Sequence, residues 1–160
     1  MIFSGITFNP DVNHPQWFVA DRDFAVDEMQ DMARNWNRLP GDYFAICGAT
    51  DGDARHRFYL VPRSDPLEIA RAFGVGCESV SPEKVASSLQ ELSTLHAKNA
   101  LLPFYVDGVG FKCELSEPIT DEVSELLIQT LVSGIDAMQD ENGEILPSIR
   151  QRGYIELRWS

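Results

Sequence analysis

The sequence predicts an α+β fold: a mainly antiparallel sheet built from hairpins, with three to four helices packed on one face. Two Asp-Gly dipeptides, Asp51-Gly52 and Asp107-Gly108, each lie between β-rich runs. This pattern is typical of a hairpin turn, because glycine tolerates positive φ at no steric cost. Several other segments repeat apolar residues at helical spacing. With 160 residues, of which 44% are hydrophobic and 24% are charged, the chain is predicted to form a single domain over residues 1–160.

The first part of the chain is predicted to form two strands and one helix. The strands are residues 2–8 and 16–20, joined by a proline-containing turn. In the helix that follows, Asp23 is the predicted N-cap, and four apolar side chains share one face: Ala25, Met29, Met32 and Trp36. Pro40-Gly41 ends this helix, since neither residue favours its continuation.

The middle of the chain is predicted to contain a hairpin and two helices. The hairpin strands are residues 42–49 and 56–61. A short helix follows, with Asp65 as N-cap, Pro66 at its first position and Gly74 as its stop. The next helix is capped by Ser81 and carries one apolar stripe, formed by Val85, Leu89, Leu92 and His96.

The last part of the chain is predicted to contain a hairpin, a helix and a strand. Residues 103–115 form the second hairpin, with strand-like alternation after its turn. Residues 120–139 give the strongest helix signal, with Thr120 as N-cap and a wide apolar stripe. Residues 153–159 alternate as a final strand. The predicted element order is ββα ββ αα ββ α β, and hairpins of this kind build an antiparallel sheet.

Acidic residues dominate the charge and are unevenly distributed. The chain has 25 acids and 13 bases, which give a formal net charge of −12. Nine acids fall within residues 113–149, a span without lysine or arginine, and five more lie in residues 21–31. No basic stripe is present, which excludes a nucleic-acid binder driven by phosphate contacts.

Cysteine use and hydropathy predict a cytoplasmic location. The three cysteines are far apart and show neither a C-x-x-C pair nor zinc-ligand spacing. Cys47 and Cys113 lie in apolar runs, as reduced buried thiols do. No apolar run approaches the roughly 18 residues of a membrane span, and the N-terminus does not have the pattern of a signal peptide. We therefore expect no membrane association.

One loop has the residue types of a metal site. Asp51, Asp53 and His56 fall within six positions and could supply two carboxylates and an imidazole. Aspartate and glycine are equally typical of a hairpin tip, for backbone reasons, and no further ligand lies nearby in the sequence. We favour the turn, and expect no metal and no cofactor.

The other candidate catalytic patterns are incomplete. His96 could pair with Cys77 or Cys113, but no local signature accompanies them, and a hydrogen-bonded, partly buried histidine is favoured. The Gly-x-Gly pairs complete neither a dinucleotide-binding fingerprint nor a P-loop. The carboxylates of Glu122 and Glu125 suit the first turn of a helix better than acid–base chemistry. No catalytic residue is assigned, and a non-enzymatic role is favoured.

Charge and size therefore predict an acidic protein-binding domain. Bacterial immunity proteins, which neutralise a cognate toxin by covering its active site, have this profile, so an immunity-type inhibitor of a basic protein is the leading hypothesis. The predicted partner-binding residues are Asp27, Glu28, Asp31, Glu122, Glu125 and Trp17. The alternative is a small-ligand-binding or enzymatic domain with its pocket between sheet and helices. A nucleic-acid mimic is disfavoured by six arginines within residues 34–71. The sequence leaves homo-oligomerisation open.

Overall fold

A seven-stranded sheet forms the centre of the molecule. The structure, a computed structural model, describes residues 3–20, 24–49, 55–75, 81–125 and 145–158. The strands are β1 Phe8–Pro10, β2 Phe18–Ala20, β3 Tyr43–Gly48, β4 Arg57–Pro62, β5 Leu101–Val106, β6 Gly110–Leu115 and β7 Tyr154–Arg158. Their order across the sheet is β1-β2-β4-β3-β5-β6-β7. Neighbours are antiparallel except β3 and β5, which are parallel. The predicted α+β class with a mainly antiparallel sheet is confirmed.

Both predicted hairpins pair as antiparallel neighbours. Strands β3 and β4 pair along their whole length, from Tyr43↔Pro62 to Gly48↔Arg57, while the Asp51-Gly52 turn itself lies outside the described residues. Asp107-Gly108 joins β5 to β6. In that turn the Asp107 N–H donates to the Gly110 carbonyl at 2.9 Å, and the Asp107 carboxylate accepts from the Val109 N–H at 2.8 Å. The aspartate thus closes the turn with both its backbone and its side chain.

The described helices are α1 Val26–Asn37, α2 Pro66–Ala72, α3 Pro82–Lys98 and α4 Ile145–Arg152. Residues 121–125 are also helical and reach the edge of the described chain. Two predicted caps are confirmed: the Asp65 side chain accepts from the Leu67 N–H at 2.9 Å, and Ser81 from the Lys84 N–H at 3.2 Å. The predicted cap of α1 is wrong, because the N-cap is Ala25 and not Asp23. Gly74 follows α2 with a φ of +74°, a conformation that suits glycine and stops a helix. Most of the predicted helix 120–139 lies outside the described residues.

The N-terminus and the segment before β7 differ from the sequence prediction. The strand predicted at residues 2–8 is wrong in its position: residues 3–5 form a turn, Gly5 has a φ of +77°, and β1 begins at Phe8. Positive φ is incompatible with a continuous extended strand. Helix α4 was not predicted, and Pro147 lies in its first turn. Proline is tolerated there because the first turn of a helix needs no intrahelical N–H donor.

The helices cover both faces of the sheet. Helices α2, α3 and α4 and residues 121–125 contribute to the core cluster of one face. Helix α1 contributes to a second cluster on the opposite face, which the sequence did not predict. Strand β3 divides its side chains between the two clusters in alternation: Phe44 and Ile46 belong to the first, Ala45 and Cys47 to the second.

The last residue of α1 bridges the two parallel strands. The described pairing of β3 with β5 comprises Cys47↔Tyr105 and Gly48↔Val106. On its other side, β5 pairs with β6, and the register of that pair shifts between Pro103 and Tyr105. The buried Asn37 amide donates to the Ala45 carbonyl at 3.0 Å and to the Pro103 carbonyl at 2.8 Å. Its oxygen accepts from the Ala45 N–H at 2.7 Å. The side chain thus satisfies backbone groups of β3 and β5 beyond the described pairing, and it anchors α1 to the sheet.

Candidate functional site

The solvent side of α1 carries three exposed carboxylates, Asp27, Glu28 and Asp31, which we call the α1 acidic surface. The opposite side of the helix is fixed in the core by Met29 and Ala33, both 0% exposed. Among the described residues, none of the three acids forms an ion pair or a side-chain hydrogen bond. Their charge is therefore presented to solvent without a compensating cation in the described part of the chain.

The two arginines at the end of α1, Arg34 and Arg38, form ion pairs with the sheet. Glu114 on β6 is 8% exposed and binds both of them, through Arg34 Nε at 3.3 Å and Arg38 Nη2 at 2.6 Å. Arg34 also donates to the Arg152 carbonyl at 3.1 Å and lies over the Phe104 ring at 5.3 Å. Acids thus occupy the first half of α1 and bases its end, an arrangement that the helix dipole favours.

The second predicted acidic group lies on the other face of the sheet. Glu122 and Glu125 are exposed, whereas Val123 between them is buried in the core cluster of α2, α3 and α4. Glu122 also forms an ion pair with Lys98 at 3.2 Å. In the described part of the chain, the acids of α1 and the pair Glu122 and Glu125 thus belong to elements on opposite faces of the sheet.

Trp17 is a core residue. Its side chain is 8% exposed, and its ring stacks on His14 at 3.8 Å and contacts Phe73 at 4.7 Å and Tyr59 at 5.8 Å. The sequence had placed it among the partner-binding residues as an exposed aromatic anchor. Burial between α2 and the sheet withdraws the ring from solvent, so we do not include Trp17 in the contact surface.

The predicted Asp51/Asp53/His56 loop is described only at its histidine. Asp51 and Asp53 lie outside the described residues. His56 Nε2 lies 3.0 Å from the Tyr105 hydroxyl, which donates to the Asp107 carboxylate at 2.7 Å. Because that hydroxyl proton is directed to Asp107, the phenol oxygen accepts from Nε2–H. Within the described ranges, no group of three or more His, Cys, Asp or Glu side chains is arranged to hold a metal ion.

Charged residues of β6 and β7 lie beside this hydrogen-bonded chain. Lys112 donates to the Gln30 amide oxygen at 3.0 Å and lies 4.7 Å from the centre of the Tyr105 ring. At Gly110, an added Cβ would come within 3.2 Å of the Asp107 carboxylate and 3.4 Å of the Arg158 guanidinium. Glycine at this position therefore leaves room for side chains of the neighbouring strand and turn to approach.

Two buried groups of this region, the Cys47 thiol and the Tyr105 phenol, are weak nucleophiles at neutral pH. Burial raises the pKa of Cys47 to about 12. Burial, followed by the hydrogen bond to Asp107, raises the pKa of Tyr105. Both groups stay protonated at neutral pH, and a protonated thiol or phenol is a weak nucleophile. The Tyr105 hydroxyl joins His56 to Asp107, and Lys112 joins β6 to Gln30 on α1.

Of the predicted Cys–His pairs, only His96 with Cys113 lies within the described residues. Cys113 is 0% exposed, and burial raises the pKa of its thiol. His96 Nδ1 accepts from the Leu101 N–H at 3.0 Å, which confirms the predicted hydrogen-bonded, partly buried histidine. Cys77 lies outside the described residues.

The comparisons with known proteins add no family. Throughout the described part of the chain, no helix has the length and apolar character needed to cross a bilayer. Searches against protein-family models, curated proteins and solved structures return no match to this chain.

Proposed function

We propose that this chain is an acidic protein-binding domain that contacts a basic protein through the α1 acidic surface, as an immunity-type inhibitor does when it neutralises a bacterial toxin. The observation that supports this proposal most directly is the set of exposed carboxylates on α1 that lack a described cationic partner. A negative surface of this kind accelerates association with a basic partner and disfavours acidic ones.

Helix stability accounts for only part of this charge. Asp27 and Glu28 lie in the first turn of α1, where carboxylates stabilise the helix dipole. Asp31 lies beyond the first turn, where the dipole effect has largely fallen off. Its exposure without a described partner is therefore better explained by an intermolecular role than by support of the helix.

The surface is held in a fixed orientation. Asn37 binds two strands, Trp36 Nε1 donates to the Tyr43 carbonyl at 3.2 Å, and Arg34 binds Glu114. These contacts join α1 to β3, β5 and β6. A rigid surface loses less conformational entropy on binding than a mobile one, which favours affinity.

Of the two predicted acidic groups, α1 is the better candidate for the contact surface. It has three exposed acids without described cation partners, whereas Glu122 is paired with Lys98. An exposed ion pair contributes little to stability, yet it offsets the local charge that a partner would sense. The alternative of a small-ligand-binding domain is supported by a cavity between the sheet and α2.

The two acidic groups provide matched variants for a direct test. Asp27→Lys/Asp31→Lys alters α1, and Glu122→Lys/Glu125→Lys alters the opposite face by the same change in net charge. The unaltered protein and both variants are used as bait in a native-host lysate. Captured proteins are identified by mass spectrometry, and the genes adjacent to this one are examined for a toxin-like product. Association rates with the purified captured protein are then measured by surface plasmon resonance.

We expect a basic protein whose association is slowed by the α1 variant and is little changed by the opposite-face variant. The effect should weaken at high salt, since the Debye length falls from about 10 Å at 0.1 M to about 3 Å at 1 M. For an immunity-type inhibitor, the partner's toxic activity should also be blocked by the unaltered protein. Equal association rates for all three proteins at low salt would refute recognition by the α1 acidic surface.

A further inference from the structure

A polar cavity of about 470 Å³ lies between β4, α2 and the connection from β1 to β2. Its volume is within the range of small-molecule sites, roughly 300–1,000 Å³. The cavity is on the sheet face opposite to α1, since its aromatic residues belong to the core cluster of α2 and α3. The side chains that matter for its chemistry are Asp11, His14, Arg57, Tyr59, Arg71 and Phe73.

His14 is fixed in place by its surroundings. Its ring stacks nearly parallel on the buried Trp17, with centroids 3.8 Å apart and an interplanar angle of 13°. Nδ1 lies 2.7 Å from the Asp11 carboxylate, which can only accept, so Nδ1 carries the proton and Nε2 is left for another partner. The loop is closed by backbone bonds from the Asp11 N–H to the Trp17 carbonyl and from the Trp17 N–H to the His14 carbonyl, both 2.9 Å.

Two arginines contribute permanent positive charge to the same cavity. Arg57 begins β4 and is partly buried, whereas Arg71 lies in the last turn of α2 with 56% of its side chain exposed. The only described ion pair of Arg71 is a long contact of 3.9 Å with the exposed Glu68. Among the described lining residues, Asp11 is the one acid, and its carboxylate is hydrogen-bonded to His14. Within the described lining, two arginines thus stand against one carboxylate, in a chain of net charge −12.

The remaining wall suits the uncharged part of a ligand. Tyr59 and Phe73 line the cavity, and their rings meet edge to face with centroids 5.3 Å apart. Both are nearly buried, and both contact Trp17. An apolar, rigid wall beside a few convergent polar groups is the usual composition of a small-molecule site.

We propose that this cavity binds a small organic anion, whose phosphate or carboxylate group is held by Arg57, Arg71 and His14. A guanidinium group presents a planar fork of donors that matches an oxyanion, and an imidazole adds a further donor when it is protonated. The cavity and the α1 acidic surface lie on opposite faces of the sheet. This inference is therefore independent of the proposed protein-binding function, and either can fail alone.

The histidine ring provides a local reporter of binding. Imidazole resonances of the intact protein are followed by NMR during titration with ribose 5-phosphate and, separately, with succinate, at constant ionic strength maintained with sodium chloride. The signal of His14 is assigned by its loss in His14→Gln. Arg71→Gln tests the cavity, and Arg150→Gln is the matched control, since Arg150 is an exposed arginine on α4 that does not line this cavity. Thermal melting verifies that both variants fold.

We expect a saturable shift of the His14 resonance with at least one probe, and the effective probe identifies the anionic group. Loss of one charge-assisted contact should weaken binding by about tenfold in Arg71→Gln, with no change in Arg150→Gln. The proposal is overturned if neither probe gives a saturable shift. It is equally overturned if Arg71→Gln, correctly folded, weakens binding by less than about threefold.

Discussion

The two faces of the sheet are stabilised in different ways. The face under α2, α3 and α4 is covered by a large cluster of buried apolar side chains. The face under α1 has a smaller apolar cluster, beside which lie Glu114, Asn37 and Lys112 with their hydrogen-bond partners. Apolar burial is non-directional and supplies free energy roughly in proportion to area. Hydrogen bonds add less net free energy, but their geometry fixes how α1 lies on the sheet.

The difference matches the roles proposed for the two faces. The α1 face presents an acidic surface whose orientation depends on directional contacts made by Asn37, Arg34 and Trp36. The opposite face encloses a cavity whose aromatic wall is part of the main core. A change in core packing should therefore affect stability most, and a change in the polar contacts should affect α1 most.

The largest effect is expected from a cavity-forming substitution in the apolar face. Leu92 on α3 is 0% exposed, and Leu92→Ala should lower the free energy of unfolding by about 3 kcal/mol, through lost burial and the cavity left behind. Val12→Ala is the control, since Val12 is 94% exposed and should change stability by less than about 0.5 kcal/mol. Urea unfolding measures both. A loss as small as that of the control would show that this face does not dominate stability.

A somewhat smaller effect is expected from the amide that bridges β3 and β5. Asn37→Ala removes bonds to both backbone groups of Ala45 and to the Pro103 carbonyl, and should cost about 2 kcal/mol because buried polar groups lose their partners. Asn35→Ala on the same helix is exposed and should have little effect. Hydrogen exchange should also show faster opening of α1 in Asn37→Ala. Unchanged exchange in α1 would contradict the role of Asn37 as its anchor.

A pH effect of about 1 kcal/mol is expected at Tyr105. Burial and the hydrogen bond to Asp107 raise the pKa of this phenol in the folded protein above its unfolded value of about 10. Its contribution to stability is therefore fully present below pH 10 and is lost as the pH rises beyond that value. Between pH 8 and pH 11, the unaltered protein should lose more unfolding free energy than Tyr105→Phe. Parallel pH profiles for the two proteins in urea unfolding would argue against the shift.

No change in the melting temperature is expected on removal of divalent metal ions. His56 is bonded to Tyr105, and the sequence favoured a turn over a metal site at Asp51 and Asp53. A chelator should leave the melting temperature unchanged, measured by differential scanning calorimetry before and after its addition. A ligand that binds only the folded state stabilises it by mass action, so a fall of several degrees would restore the metal hypothesis.

The features that the sequence predicted correctly depend on residues close together in the chain. Asp65 and Ser81 cap their helices, Asp107-Gly108 turns a hairpin, and Gly74 follows the end of α2. The exposure of the acids on α1 also followed from helical spacing alone. In each case, the residues that predict the feature and the residues that form it lie in the same short segment, so local interactions determine the structure.

Other features were decided only by the tertiary structure. These are the parallel pairing of β3 with β5, the place of α1 on its own face, and the burial of Trp17. The cavity joins Arg57, Arg71 and His14 from three separate segments, and Asn37 reaches a carbonyl 66 residues further along the chain. An amphipathic pattern predicts that one face of an element is buried, but it does not predict which other element covers that face. That choice depends on how all the apolar faces are covered at once, and no single segment of the sequence contains it.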